Sequence, residues 1–134
     1  MSDIEPELLT VARAVKEHAH VPYSHFPVGA ALRTDTGAVF AGCNVENAAY
    51  PQGVCAEASA ISAMVSAGER VIRAIVTVCD GDLLATPCGG CRQKIREFAD
   101  RETMIHAAGP DGVRTSYTMD ELLPDSFGPE NLSE

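Results

Sequence analysis

Positions 71–79 carry the sequence Val-Ile-Arg-Ala-Ile-Val-Thr-Val-Cys. This run is mostly apolar and rich in β-branched residues. Such a run is typical of a strand covered on both faces, in the interior of a sheet. The segments before and after it are therefore expected to pack against it.

Helical segments flank this strand along the chain. Residues 55–67 are alanine-rich and end before Gly68, a glycine signal for a helix C-terminus, and residues 88–98 also favour a helix. The first of these helices is apolar on nearly all sides, so we expect it to be buried. A further helix is predicted over residues 6–19 from apolar residues at helical spacing.

Four further strands are predicted in two pairs, over residues 28–33, 38–45, 104–107 and 113–117. Thr118 to Glu121 has the pattern of a capping box, which opens a short helix stopped by Pro124. Alternating strands and helices predict an α/β fold, a three-layer α/β/α sandwich around a mixed central sheet of about five strands. A chain of 134 residues has the size of one domain, residues 1–134.

The charge balance bears on the partners that the chain can have. Ten Lys and Arg face nineteen Asp and Glu, for a net charge of −9. Nucleic acids and anionic membrane surfaces are bound through cationic side chains, so we expect neither as a partner. No apolar run approaches the length of a membrane span, and the N-terminus has no apolar leader, so a cytoplasmic protein is expected.

The strongest chemical motif is Pro-Cys-Gly-Gly-Cys at positions 87–91, where a helix is predicted to start. Cys88 and Cys91 lie on one side of the first helical turn, and Cys91 continues a core-facing stripe with Ile95. A helix N-terminus stabilises thiolate, the form that binds metal. By itself the motif leaves three interpretations open: half of a metal site, which we favour, a redox dithiol, or cysteines packed in the core.

A third thiol, Cys55, begins the predicted helix over residues 55–67 and strengthens the metal interpretation. Three protein thiolates form an incomplete tetrahedral zinc site, in which the fourth position is left for water or substrate. We therefore predict one catalytic Zn²⁺ per subunit on Cys55, Cys88 and Cys91. Cys43 and Cys79 lie late in predicted strands and are expected to pack in the core.

Glu57 follows Cys55 by two positions, which is about 200° around a helix. The side chain of Glu57 is therefore better placed to reach a water on the metal than to ligate the metal. A carboxylate there can take a proton and pass it to a leaving group. The ordinary alternative is a first-turn glutamate that complements the helix dipole. Next to three thiols, we favour the role in proton transfer.

Together these motifs resemble the three-cysteine signature of the zinc nucleoside deaminases, Cys-Ala-Glu at positions 55–57 and Pro-Cys-x-x-Cys at positions 87–91. The chain is similar to the small cytidine deaminases that act on free nucleosides, from about Leu8 to Phe127. Other stretches that carry the resemblance follow in the same order, at positions 23–30, 44–50, 91–93 and 122–124.

The resemblance implies a cytidine-deaminase-like sandwich and a hydrolase that deaminates cytidine and 2′-deoxycytidine to uridine and 2′-deoxyuridine, with release of ammonia. It implies that the three cysteines hold zinc and that Glu57 transfers protons. The backbone N–H of Ala56 would contact the pyrimidine carbonyl, and Phe26 would stack on the base. From the residues alone, core packing is the simpler explanation for Phe26.

The resemblance also implies that Asn44 and Glu46 hydrogen-bond the ribose. If this segment is extended, the two side chains emerge on the same face, as a shared sugar contact requires. A polar strand end explains the pair equally well from the residues alone.

Family members of this size are typically homotetramers with active sites at subunit junctions. The resemblance therefore implies self-association and a role in pyrimidine salvage, with a pyrimidine nucleoside as the small-molecule partner. It implies that Ala49, Tyr50 and Phe127 reach the site of a neighbouring subunit. The sequence itself carries no signal of an oligomer.

One position departs from the family pattern. Many three-cysteine members have Arg directly after the glutamate, where this chain has Ala58. Three thiolates around Zn²⁺ leave a net negative charge, which opposes deprotonation of a water on the metal. We expect Arg92 and the N-termini of the two helices to compensate, through hydrogen bonds to sulfur.

Three alternatives make different predictions. A deaminase of a modified cytosine nucleoside, of the blasticidin type, would keep the fold and the site. A non-catalytic structural zinc domain would need a fourth ligand, Cys43 or Cys79, and no role for Glu57. A thiol–disulfide protein would use Cys88 and Cys91 without metal.

Overall fold

The computed structural model describes residues 5–133. The helices are α1 (Pro6–Lys16), α2 (Ala56–Ser66), α3 (Gly89–Phe98) and α4 (Met119–Leu122). The strands are β1 (Val28–Thr34), β2 (Val39–Cys43), β3 (Ile72–Cys79), β4 (Met104–Gly109) and β5 (Gly112–Thr118). Short 3-10 turns span Tyr50–Gln52 and Pro129–Asn131.

The five strands form one mixed sheet in the order β2-β1-β3-β4-β5. Strand β3 lies third of the five, antiparallel to β1 and parallel to β4, while β2 and β5 pair antiparallel with their neighbours. The prediction that residues 71–79 form the central strand is confirmed. The hairpin turn between β1 and β2 contains Gly37 at φ +90°, a left-handed backbone that favours glycine.

Helices cover both faces of the sheet, which confirms the three-layer α/β/α prediction. On one face, Leu8 and Ala12 of α1 pack against alternate residues of β1 and β3. On the other face, Ala60 and Met64 of α2 and Ile95 of α3 pack over β1, β3 and β4. Among the described residues no helix is both long and apolar enough to cross a bilayer.

Helix α2 is largely buried as predicted, and α4 begins with the predicted capping box at Thr118. The first helix, predicted over residues 6–19, ends earlier, at Lys16. Its last predicted turn is lost because the chain turns toward the end of β2, where His20 donates its backbone N–H to the Asn44 carbonyl at 3.0 Å. Val45 then bridges both His20 and Val54, so the long loop after β2 is tied down at both ends.

Candidate functional site

Three thiols meet where α2 and α3 begin. Cys55 and Cys88 are the N-cap residues of these helices, and Cys91 lies in the first turn of α3. Their Sγ atoms all lie within 4.8 Å of one another. Thiolates bound to one tetrahedral zinc at about 2.3 Å are roughly 3.8 Å apart, so this donor set fits one zinc ion after a small adjustment.

The group of thiols is made up of the three cysteines predicted as zinc ligands. Cys43 and Cys79, both within the described residues, are not in it. The fourth ligand required by a closed structural site is therefore not supplied by either of them. This geometry fits an open site, in which a water or substrate completes the coordination.

The surroundings of the thiols act differently on each of them. Backbone N–H groups of Cys91 and Gly90, at the start of α3, lower the pKa of the Cys88 thiol, the Cys91 group contributing most. Burial raises the pKa of Cys91 well above its usual range, and the Glu57 carboxylate raises it further. Burial also raises the pKa of Cys55. A bound cation would reverse the effect on Cys55 and Cys91, because it favours thiolate.

Glu57 lies in the first turn of α2 and is 5% exposed. Its carboxylate oxygen Oε2 accepts a hydrogen bond of 3.2 Å from Thr77 Oγ1 on β3. A carboxylate that is buried beside three thiols, and held by a donor on the sheet, is suited to moving protons within the site.

A cavity of about 220 Å³ opens in front of these groups. Its wall contains many of the predicted site residues: Phe26, Asn44, Cys55, Ala56, Glu57 and Cys88. Cys91 is buried next to its two partner thiols. The wall also includes Cys79, which is buried, as predicted, but also contacts the cavity.

Asn44 positions the Phe26 segment over this cavity. Its Nδ2 donates to the Phe26 carbonyl at 3.0 Å, and its Oδ1 accepts from the Val28 backbone N–H at 2.9 Å. The segment before Val28 needs such support because His25 has a φ of +57°, in the left-handed region. Asn44 thus has a structural role in addition to any contact with substrate.

Glu46 lies in a neighbouring cavity, together with Tyr23, Ser24 and Tyr50. Its carboxylate accepts hydrogen bonds from the backbone N–H groups of Tyr23 and Ser24, at 3.0 and 3.1 Å, and from the Ser24 hydroxyl. The Ser24 hydroxyl, above all, lowers the pKa of the Glu46 carboxyl. Asn44 and Glu46 therefore line two different cavities, and the single chain does not bring their side chains to one shared cavity.

Arg92 does not make the bonds that were predicted for it. Its guanidinium donates to the Pro87 carbonyl at 2.7 Å, to Thr86 Oγ1 at 2.7 Å and to the Leu122 carbonyl at 2.9 Å. All three nitrogens therefore bind oxygen, and the predicted hydrogen bonds from Arg92 to sulfur are wrong. Of the two helix N-termini that were predicted to compensate, the start of α3 lowers the pKa of Cys88 through backbone N–H groups, whereas at Cys55, at the start of α2, burial has the largest effect and raises the pKa.

Ala49, Tyr50 and Phe127 are exposed and lie outside the cavity lined by the thiols. Tyr50 is 73% exposed and Phe127 is 57% exposed. Gln93 of α3 holds the Phe127 segment by donating to its backbone carbonyl at 2.9 Å.

Three residues of the site were missed by the sequence analysis: Thr77, which binds Glu57; Ser24, which binds Glu46; and Thr86, which binds Arg92. Thr77 carries a signal that could have been used, because it is a polar residue late in an otherwise apolar run of β3. Ser24 and Thr86 lie in loops, where a hydroxyl is common and carries no such signal.

Comparisons with known proteins agree on one family. A family model described as the cytidine and deoxycytidylate deaminase zinc-binding region matches residues 2–107. The cytidine deaminase of Sporosarcina psychrophila is 40% identical over 131 residues, which cover 98% of this chain and 96% of that protein. The cytidine deaminase of Halalkalibacterium halodurans is 39% identical over 127 residues, covering 95% of this chain and 96% of that protein.

Solved structures give the same result. The crystal structure of cytidine deaminase from Burkholderia pseudomallei superposes with a TM-score of 0.84 at 40% identity, covering 90% of this chain and 97% of that one. Cytidine deaminase from Mycobacterium tuberculosis superposes with a TM-score of 0.78 at 38% identity, covering 91% and 95% of the two chains.

Proposed function

The chain belongs to the zinc-binding cytidine and deoxycytidylate deaminase family, and on that premise we propose that it deaminates free cytidine and 2′-deoxycytidine. The products are uridine and 2′-deoxyuridine, with one ammonia released for each water consumed. The observation that carries this proposal is the group of three thiols within 4.8 Å of one another, two of which, Cys55 and Cys88, line the same cavity as the Glu57 carboxylate.

In this proposal Cys55, Cys88 and Cys91 hold the zinc ion. Zinc supplies, when bound, a Lewis acid that makes water a nucleophile near neutral pH. The three thiols fit that role because they would supply three of the four ligands of a tetrahedral zinc, and two of them line the cavity. The Cys88 thiol is the best prepared of the three, because backbone N–H groups at the start of α3 stabilise its thiolate.

Glu57 carries the protons between water and base. Its carboxylate takes the proton that the attacking water gives up and delivers it to N3 of the pyrimidine, while oxygen adds at C4. Glu57 then takes the remaining proton from the C4 hydroxyl and gives it to the exocyclic amino group, so the C4–N bond breaks, ammonia leaves and C4=O forms. Burial keeps this exchange within the cavity and away from bulk water.

Substrate recognition follows from the residues around the cavity. The backbone N–H of Ala56 lies at the start of α2, where helical N–H groups have no partner within the helix, and it donates to the pyrimidine carbonyl. Phe26 packs on the face of the base, and Asn44 and Glu46 bind sugar hydroxyls. Glu46 would reach the sugar from the neighbouring cavity, with the lone pairs that Tyr23 and Ser24 leave available.

A free nucleoside suits this cavity better than a nucleotide or a nucleic acid. None of the described residues that line it is lysine or arginine. The phosphate of a nucleotide would need a cationic side chain in the cavity to bind it. The net charge of −9 opposes binding to a polyanion such as a nucleic acid.

We also propose that residues 1–134 form one catalytic domain that works as a homotetramer in the cytoplasm, in pyrimidine salvage. Support for self-association comes from exposed apolar side chains: Tyr23, Tyr50 and Phe26 in the walls of the two cavities, and Val45 and Val54, which bridge each other in the loop after β2. In a tetramer, Ala49, Tyr50 and Phe127 would complete the site of a neighbouring subunit.

The test is cytidine turnover by purified, zinc-loaded protein, followed by loss of cytidine absorbance and by matching release of ammonia. Glu57→Gln keeps the size of the side chain but cannot transfer protons, so we expect kcat to fall at least about 100-fold. The variant should retain one zinc per chain and the fold.

Absence of turnover by the unchanged, zinc-loaded protein would contradict the proposal. A modified cytosine nucleoside would then be the next substrate to assay. If turnover persisted unchanged in Glu57→Gln, the role of Glu57 in proton transfer would be wrong.

A further inference from the structure

Thr77 is a polar residue on the face of the central strand that lies under α2. Its neighbours across the sheet are Ala30 on β1 and Ala107 on β4, both fully buried. The Thr77 side chain lies between these two small residues and is itself only 6% exposed. A valine would fill the same volume without burying a hydroxyl. A threonine at this position therefore indicates that its hydroxyl has a hydrogen-bond partner.

The hydrogen-bond partner of the Thr77 hydroxyl is the Glu57 carboxylate. A buried hydroxyl is costly unless it is hydrogen-bonded, and Thr77 Oγ1 donates to Glu57 Oε2 at 3.2 Å. The two residues come from different elements, the first turn of α2 and the middle of the sheet. The hydrogen bond therefore connects a flexible side chain in the first turn of α2 to β3, the central strand, which pairs with a neighbouring strand on each side.

The geometry points to Thr77 as a positioning residue for Glu57, an inference that rests on the proposed function. A glutamate side chain has three rotatable torsions, and a carboxylate that must exchange protons with two partners in turn gains from being held in one orientation. Because Oε2 already accepts a bond from the strand, Oε1 has more lone-pair capacity left for proton transfer. Thr77 also lies in the wall of the cavity, but in this scheme it touches no reacting atom and acts through Glu57.

Thr77→Val is the variant that removes the hydroxyl and keeps the shape. We expect kcat for cytidine to fall about 10- to 100-fold, which is typical when a group that orients a reactive side chain is removed. KM should stay within about twofold, because valine keeps the shape of the cavity wall and the Thr77 hydroxyl donates to Glu57 and not to substrate in this scheme. Zinc content should remain at one per chain. Thr77→Ser restores the donor and should recover most of the kcat that Thr77→Val loses.

The matched control is Thr115→Val, the same chemical change in the edge strand β5, for which no side-chain hydrogen bond is found. This variant should keep the kcat of the unchanged protein. Equal kcat in Thr77→Val and the unchanged protein would overturn the inference. So would a failure of Thr77→Ser to recover activity, since the methyl group and not the hydroxyl would then matter.

A second measurement tests the contact without using activity. Thermal unfolding of Thr77→Val, Glu57→Ala and the double variant forms a double-mutant cycle. Each single variant leaves a buried polar group without its partner, so the double variant should lose less in Tm than the two single losses added together. If the Tm losses of the two single variants simply added up in the double variant, Thr77 and Glu57 would not interact and the inference would be overturned. If the unchanged protein failed to turn over cytidine, the proposed function would fall while this cycle would still decide the contact.

Discussion

Each of the three thiols lies in the first turn of a helix or at its cap, and this placement explains both their closeness and their chemistry. The start of a helix offers unpaired backbone N–H groups, which stabilise thiolate at Cys88. Cys91 is buried and close to Glu57, and its pKa is raised for these two reasons. The site therefore combines one thiol prepared for metal with others that need a cation before they ionise.

Arg92 supports the three zinc-binding thiols by holding the segment before Cys88 in place, and it does not contact the sulfur atoms. Its guanidinium holds Thr86 and Pro87, the two residues before Cys88, and reaches across to Leu122. We predict that Arg92→Gln and Arg92→Lys both raise the apparent Kd for zinc about 10- to 100-fold, because a lysine keeps the charge but cannot make three directed bonds. Competition with a chromogenic chelator measures this.

Lys94→Gln is the matched control for charge, since Lys94 is an exposed cation on the same helix. It should leave the Kd for zinc unchanged. If Arg92→Lys kept the affinity that Arg92→Gln lost, the charge of Arg92 would be the important property, and compensation for the missing arginine at Ala58 would regain support.

At the scale of elements, α2 lies very close to β2 because Gly42 has no side chain. A Cβ atom at Gly42 would come within 2.5 Å of the Ala60 backbone nitrogen and of the Ser59 Cβ atom. We predict that Gly42→Ala lowers the free energy of unfolding by about 1–3 kcal/mol, as overpacking usually does. It should also reduce kcat, since α2 carries Cys55 and Glu57. Urea unfolding and cytidine turnover measure the two effects.

Gly90→Ala is the control for the same substitution in a helix. Its added Cβ would meet only the Lys94 ammonium group, at 3.8 Å, an ordinary contact at the end of a flexible side chain. Alanine also has the better helix propensity, so stability should stay equal or rise. Equal stability of Gly42→Ala and the unchanged protein would show that α2 can shift away from the sheet without loss.

The elements that could be predicted from sequence are those with a clear local pattern. The apolar run at residues 71–79 and the capping box at Thr118 are two such cases, and both predictions are confirmed. The first helix was predicted to extend to residue 19, but it ends at Lys16 because His20 pairs with the distant Asn44 and Val45. Residue spacing contains no information about a partner that lies far along the chain.

At the scale of the whole molecule, the same distinction applies to the site. The thiols could be predicted because each lies in a short motif at the start of a helix. The separation of Asn44 and Glu46 into adjacent cavities could not be predicted, because it depends on the path of the segment that carries Ser24 and Phe26. That path includes the left-handed backbone of His25, which no local pattern indicates.

In the proposed tetramer, we expect the exposed aromatic side chains to lie in the surface that joins the subunits. Tyr50 is 73% exposed and packs on Tyr23 beside the cavity of Glu46. We predict that sedimentation equilibrium gives a mass about four times the 14.2 kDa of one chain. Tyr50→Asp should lower both this mass and cytidine turnover, because it places a charge in a buried interface. Thr10→Asp, an exposed position on α1, should change neither. A monomeric mass with full turnover would show that each chain completes its own site.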